Sequence, residues 1–297
     1  MTIKAIVCDM DGTLLTSDHT IAPKTFRKLM ELQTKGVKLI LASGRSYIRL
    51  LPDALELQMD KHAGLMIDVN GTSIYHVATA KRDRIGLLEG SFITEINRFF
   101  SLFTVELQYS QDDTIYTYLP DEIYTIKKNI RGEMRLPDDY PWMGGMYGWL
   151  CDTRDGYPNQ YMVRNLADTP SFCNKISVVQ QPAYMSFVRD TLKNHPIYAQ
   201  YECVFSDERK MEITNKDITK GNALELIMEN QNIQHDEMVV FGDSENDISM
   251  FKNKKYSVAM GNALSSAKQQ ANYTTDSHNH EGIYHMLVRL ENQGLFE

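Results

Sequence analysis

The sequence predicts an α/β protein: a Rossmann-like core with a mostly parallel sheet, and an α+β domain inserted into it. Two observations carry this. Apolar strand-like runs alternate with helix-like segments at both ends of the chain, the order that builds a parallel sheet covered by helices on both faces. The middle, residues 85–210, breaks that rhythm with short strand-like pieces, aromatic residues and turn signals. At 297 residues there is chain enough for two domains. The expected division is a core of residues 1–84 and 211–297 and an insertion of 85–210.

Ile3–Val7 is apolar throughout and reads as a buried strand. Pro23–Lys35 reads as a helix, with Phe26, Leu29, Met30 and Gln33 at helical spacing and Gly36 as its stop. Val37–Ala42 is a second buried strand, and Ser46–Gln58 is helical in pattern although Pro52 interrupts it. Leu65–Val69 is a third strand, and Asn70-Gly71 marks a hairpin into Ser73–Val77. The insertion offers strands at Ile115–Leu119 and Lys175–Val179 and helices at Phe92–Leu102 and Ala183–Lys193. Turn signals such as Pro137-Asp138-Asp139 and an unusual Trp142–Trp149 stretch lie between them. The alternation then resumes. Thr219 caps a helix over Lys220–Gln231, with Ala223, Leu224, Ile227 and Met228 on one face. Met238–Phe241 and Tyr256–Met260 read as strands; Asp247–Lys252, Ala263–Gln270 and Gly282–Asn292 read as helices.

Composition narrows the function. Hydrophobic residues make up 42% and charged residues 24%, ordinary for a globular protein. The 31 basic residues face 39 acidic ones, a net charge of −8 with no basic block, so nucleic acid is not an expected partner. Four scattered cysteines form no CxxC pair, which points to reduced thiols and a cytoplasmic setting rather than zinc or a disulfide framework. No apolar run is long enough for a membrane span, and the first residues lead straight into a strand with no signal peptide.

Four short motifs sit at strand ends or a helix start: Asp9-Met10-Asp11-Gly12-Thr13, Ser43-Gly44-Arg45, Thr219-Lys220-Gly221, and Gly242-Asp243-Ser244-Glu245-Asn246-Asp247. Open parallel sheets bind ligands beyond the carboxyl ends of their strands. Paired carboxylates there repel each other unless a hard cation such as Mg2+ or a lysine compensates. With both present, Asp9 could attack phosphorus as a nucleophile and Asp11 could protonate the leaving oxygen, then activate water. Asp9, Asp243 and the backbone carbonyl of Asp11 would hold Mg2+, with Asp247 orienting that set. Ser43, the Gly44 amide, Lys220 and Asn246 would receive the phosphoryl oxygens. Arg45 reads as a loop-pairing residue, and Cys8 as buried packing.

The order DMDGTL, SGR, TKG, GDSEND resembles the haloacid dehalogenase superfamily, and within it the Cof-type phosphatases, which insert a large α/β cap between the second and third motifs. The resemblance implies a Mg2+-dependent phosphatase with an aspartyl-phosphate intermediate, acting on a sugar phosphate or another small phosphorylated metabolite. It implies Asp9 as nucleophile and Asp11 as acid/base; Met10, Ser43, Gly44, Lys220 and Asn246 at phosphate; and Asp9, Asp11 and Asp243, with Asp247 behind them, at the metal. The insertion is then a cap that excludes water and selects the leaving group. A monomer or homodimer is expected.

Other readings fit less of the chain. A calcium-binding EF-hand loop beginning at Asp9 would need glycine and glutamate where Leu14 and Thr20 stand. His278, His280 and His285 lie in or beside a polar loop and read as loop residues rather than ligands. A phosphotransferase or phosphomutase would use the same aspartate but pass the phosphoryl group to a hydroxyl. A non-catalytic phosphometabolite-binding protein would not need Asp9, Asp11, Lys220 and Asp243 all intact.

Overall fold

The computed structural model describes residues 2–145 and 148–296; of the Trp142–Trp149 stretch, residues 146 and 147 lie outside the described residues. The first segment runs β1 (Ala5–Asp9), α1 (Pro23–Thr34), β2 (Lys38–Ala42), α2 (Tyr47–Glu56), β3 (Leu65–Asp68), β4 (Ser73–His76) and β5 (Lys81–Arg84). The middle carries β6 (Leu88–Glu89), α3 (Gly90–Phe100), β7 (Glu106–Ser110), β8 (Thr114–Tyr118), α4 (Asp121–Glu133), β9 (Asn159–Val163), β10 (Phe172–Cys173), β11 (Lys175–Val179), α5 (Pro182–Lys193), α6 (Pro196–Gln200), β12 (Tyr201–Asp207) and β13 (Lys210–Asn215). The chain returns through α7 (Lys220–Gln231), β14 (Met238–Gly242), α8 (Ile248–Phe251), β15 (Tyr256–Ala259), α9 (Ser265–Gln270), β16 (Tyr273–Thr274) and α10 (Gly282–Glu291).

Two compact units result, Met1–Ile85 with Ile218–Glu297, and Gly86–Asp217. The expected boundary at 210/211 is corrected, because β13 begins at Lys210 and pairs with β11 and β12. In the first unit, eight strands among the described residues form one sheet in the order β16-β15-β14-β1-β2-β3-β4-β5. The run from β16 to β3 is parallel, and β3-β4-β5 is antiparallel. β1 and β14, the two strands that carry acidic motifs, are adjacent, with Ala5 opposite Met238 and Cys8 opposite Phe241. Every residue of both strands is buried, as a parallel sheet covered on both faces requires. β1 ends at Asp9 rather than Val7, so the pairing carries the carboxylate to the last position of the strand. α1 opens on Pro23, and Glu281 accepts hydrogen bonds from the Lys24 and Thr25 amides, two donors that helix geometry leaves unpaired.

In the second unit, six strands among the described residues form a sheet in the order β12-β13-β11-β7-β8-β9. Strand alternation sends Leu107, Tyr109, Ile176, Val178, Met211 and Ile213 into an apolar cluster with Phe92, Ile96 and Phe100 of α3 and Met185, Val188 and Leu192 of α5. The residues between them, Glu106, Gln108, Ser177 and Glu212, make the other face polar. Lys127 of α4 reaches the carboxylate of Glu106 at 2.5 Å, both side chains fully buried. Burial holds the Lys127 pKa below the usual lysine value despite Glu106.

Glu212 lies between Lys175 at 2.7 Å and Lys210 at 3.3 Å. Burial pushes its carboxyl up, but the two ammoniums outweigh burial and hold it at about 2. The folded pKa is below the unfolded one, so this stabilisation is complete above about pH 4.5 and disappears as pH falls through 2. Acid titration of the melting temperature is therefore expected to show a loss over that window. Glu212→Gln should flatten it by the equivalent of about 2 kcal/mol.

Candidate active site

Lys220 is the centre of the first unit's charged cluster. The Thr219 hydroxyl accepts the Asn222 amide at 3.1 Å and fixes the start of α7, so Lys220 becomes its first residue. The lysine is 1% exposed. Its Nζ donates to Asp9 Oδ1 at 2.6 Å and to Asp247 Oδ1 at 2.7 Å. Burial works against the ammonium, but Asp9 and Asp247 outweigh it and hold its pKa above the usual lysine value. Asp9, at the end of β1, has its pKa pushed up to about 7 by burial; Lys220 opposes this, while Asp247 and Asp243 add to it.

Asp247 is fully buried, and both of its oxygens are engaged. Oδ1 holds Lys220, while Oδ2 accepts the amides of Asp243 and Ser244 at 2.9 and 3.0 Å. It therefore shapes the turn after β14 and orients Lys220. Asp243 Oδ1 accepts the Thr13 hydroxyl at 2.9 Å, which ties the loop after β1 to the end of β14. Gly12 permits this approach: its φ is +79°, and a Cβ there would lie 2.7 Å from Asp243 Oδ2. Burial raises the Asp243 pKa too.

Asp9, Asp243 and Asp247 each present an oxygen within 4.8 Å of the others. Three carboxylates face one ammonium, and Oδ2 of Asp9 and Oδ2 of Asp243 have no hydrogen-bond partner among the described residues. Such hard oxygen donors with excess negative charge fit Mg2+.

The remaining sequence candidates are placed less centrally. Asp11 is outside this trio. Its side chain is half exposed, and the Arg45 guanidinium takes both of its oxygens, Nε to Oδ2 at 2.8 Å and Nη2 to Oδ1. Ser43, directly after β2, is buried, and its Oγ accepts the Arg45 amide at 3.1 Å. Gly44 lies against the Asn70 side chain. The Met10 side chain belongs to the apolar core, so contact with a ligand falls to its backbone. Asn246 donates to Asn70 Oδ1 at 3.0 Å. The three histidines bond separately: His278 with Ser17, His280 with Ser277 and His285 with Asp276. Sequence reasoning missed Thr13 and Asn70. Thr13 was visible as a hydroxyl two residues beyond Asp11, whereas Asn70 signalled only a turn.

The family profile described as haloacid dehalogenase-like hydrolase matches residues 6–287. A Mycoplasma genitalium protein that carries a phosphatase assignment is 26% identical over 294 residues, spanning 97% of this chain and 99% of its own length. The pyridoxal phosphate phosphatase YbhA of Escherichia coli is 26% identical over 289 residues, spanning 93% and 96%. The crystal structure of a haloacid dehalogenase-like hydrolase from Bacteroides thetaiotaomicron superposes with a TM-score of 0.74 at 23% identity, covering 97% of this chain and all of that one. Together with the carboxylates gathered at the ends of β1 and β14, the near-complete profile match shows that this chain belongs to the haloacid dehalogenase-like hydrolase family.

Proposed function

We propose that this protein is a Mg2+-dependent phosphatase that hydrolyses the phosphate monoester of a small metabolite through an aspartyl-phosphate on Asp9. The observation that carries the reading is the buried Lys220 ammonium clasped between Asp9 and Asp247, with Asp243 beside them. The substrate in the name of the Escherichia coli relative, pyridoxal phosphate, is a small phosphate monoester and supports the class.

Asp9 and Asp243 would hold the cation, together with the backbone carbonyl of Asp11. When bound, Mg2+ would offset the carboxylates' repulsion of a phosphate dianion and polarise it for attack. Lys220 fixes the Asp9 carboxylate and neutralises charge as the phosphoryl group transfers. An Asp9 oxygen forms the new bond to phosphorus while the ester oxygen leaves and takes a proton from Asp11. Water then attacks phosphorus, Asp11 recovers a proton from it, the bond from phosphorus to the Asp9 oxygen breaks, and inorganic phosphate leaves with the Asp9 carboxylate restored. The Arg45 fork occupies both Asp11 oxygens, so this ion pair opens before Asp11 moves a proton. Ser43 and the Gly44 amide supply neutral donors to the phosphoryl oxygens. The second unit, Gly86–Asp217, would serve as the substrate-selecting cap. No helix among the described residues is long and apolar enough to cross a membrane, and the four cysteines are free thiols, which suits a cytoplasmic enzyme.

Purified protein is expected to release inorganic phosphate from p-nitrophenyl phosphate with Mg2+, and to lose more than about 99% of that activity in EDTA, with recovery on adding Mg2+. Activity unaffected by chelation would sink the metal assignment. Conversion to an isomeric sugar phosphate without phosphate release would favour a mutase.

A further inference from the structure

The turn joining β3 to β4 is strained beyond what chain reversal needs. Val69, Asn70 and Gly71 adopt φ of +44°, +58° and +105°. Glycine takes left-handed backbone freely and asparagine tolerates it, but a β-branched residue there is an outlier costing on the order of 1–3 kcal/mol. An Asn-Gly pair alone would close a hairpin without valine in that region.

The surroundings over-determine this conformation. Asn70 N donates to Ser43 O at 2.9 Å, Val69 N to Arg45 O at 3.0 Å, and Ser43 N to Ile67 O at 2.9 Å. The buried Asp68 carboxylate accepts the Tyr47 amide at 3.1 Å and is paired with Arg82. The turn is thus stitched residue by residue to the Ser43-Gly44-Arg45 loop. On another side, a Cβ on Gly71 would fall 2.3 Å from Thr219 O and 3.0 Å from Lys220 N, so the turn rests on the backbone that delivers Lys220. The Asn70 side chain completes the junction. Its Oδ1 accepts Asn246 Nδ2 at 3.0 Å, and it lies where a Cβ on Gly44 would be 3.2 Å from that oxygen. Two motifs far apart in sequence therefore meet at the Asn70 amide, and a third, through Thr219 and Lys220, meets the same turn at Gly71.

We propose that Asn70 is a positioning residue for phosphate binding. Its amide sets Asn246 and the Gly44 backbone so that these donors and the Ser43 hydroxyl converge on one anion, and the strained Val69–Gly71 backbone exists to place that amide. The proposal rests on the phosphatase reading above.

Asn70→Gly is the decisive variant, because glycine keeps the left-handed φ and removes only the amide. The expected result is a rise of about tenfold in both KM for p-nitrophenyl phosphate and the inhibition constant of inorganic phosphate, the size of one lost hydrogen bond to an anion. The kcat should fall less than about threefold, and the melting temperature should move by less than about 2 °C. Unchanged KM and inhibition constant overturn the proposal, with or without a lower melting temperature. Asn246→Ala, at an exposed position, gives a second test. Because Asn70 acts through Asn246, the double variant should bind phosphate no more than about twofold worse than the weaker single variant. Fully additive losses overturn the proposal. Calorimetric titration with inorganic phosphate in Mg2+ reads the same differences without turnover, so a wild type that binds phosphate but hydrolyses nothing sinks the phosphatase reading and leaves this inference standing.

Discussion

Asp9→Asn is expected to abolish phosphate release while making the metal-free protein more stable. The two effects have one origin. The amide has the same shape but no anionic oxygen to attack phosphorus, and removal of a covalent nucleophile costs about 10,000-fold or more in kcat. In the folded chain the ionised Asp9 is buried beside Asp243 and Asp247, and its pKa stands at about 7 instead of 3.8. The folded pKa lies above the unfolded one, so wild type loses stability from this group as pH rises from about 4 to 7. The amide has no such loss. In EDTA at pH 8 the variant should therefore melt about 2–4 °C above wild type, and the gap should close when Mg2+ is added to wild type. Calorimetric melts across pH, run beside a phosphate-release assay, test both halves. Residual activity near that of wild type would remove Asp9 from the chemistry, and a lower melting temperature would show that its ionised form is better compensated than the geometry indicates.

Lys220→Met should be the most destabilising single change at the site. The side chain is a good steric match, but it strands two buried carboxylates, Asp9 and Asp247, that now share one cation. Breaking a buried pair by removing one partner costs about 3–5 kcal/mol, because the remaining charge has no compensation. Activity should disappear as well. Stability and chemistry can be separated by adding Asp247→Asn, which removes one stranded charge and keeps an oxygen for the Asp243 and Ser244 amides. The double variant should regain at least about half of the lost stability and none of the activity. Urea unfolding of the two proteins decides this. If Lys220→Met were as stable as wild type, the lysine would not be compensating buried charge.

What the sequence could convey depended on whether several levels of information agreed. α7 was legible in full because cap, apolar spacing and length all indicate the same helix, Lys220–Gln231. The cluster of Asp9, Lys220, Asp243 and Asp247 was legible because Asp9 and Asp243 stand at the ends of apolar strands, which converge in a parallel sheet, and Lys220 and Asp247 stand at helix starts. α4 was not. Its inward positions are Ile123, Lys127 and Arg131, so two of three buried side chains are charged and the apolar periodicity is erased. Their burial depends on Glu106 and on the carbonyls of Pro137, Asp138 and Tyr140, all of which lie outside the helix itself. The same limit hid the Arg45–Asp11 pair, 34 positions apart, and the bond from Asn246 to Asn70.

The neighbours of β1 have a consequence for how the chain is made. β2 follows it closely in the sequence, but β14 begins only at Met238. During translation, one edge of β1 therefore remains unpaired until β14 has left the ribosome, and Asp9 waits for Lys220 in the same way. The intervening Gly86–Asp217 unit has its own core and can close first. Synthesis thus leaves β1 dependent on a strand made much later, a topology that folds slowly and exposes a sticky margin to chaperones meanwhile.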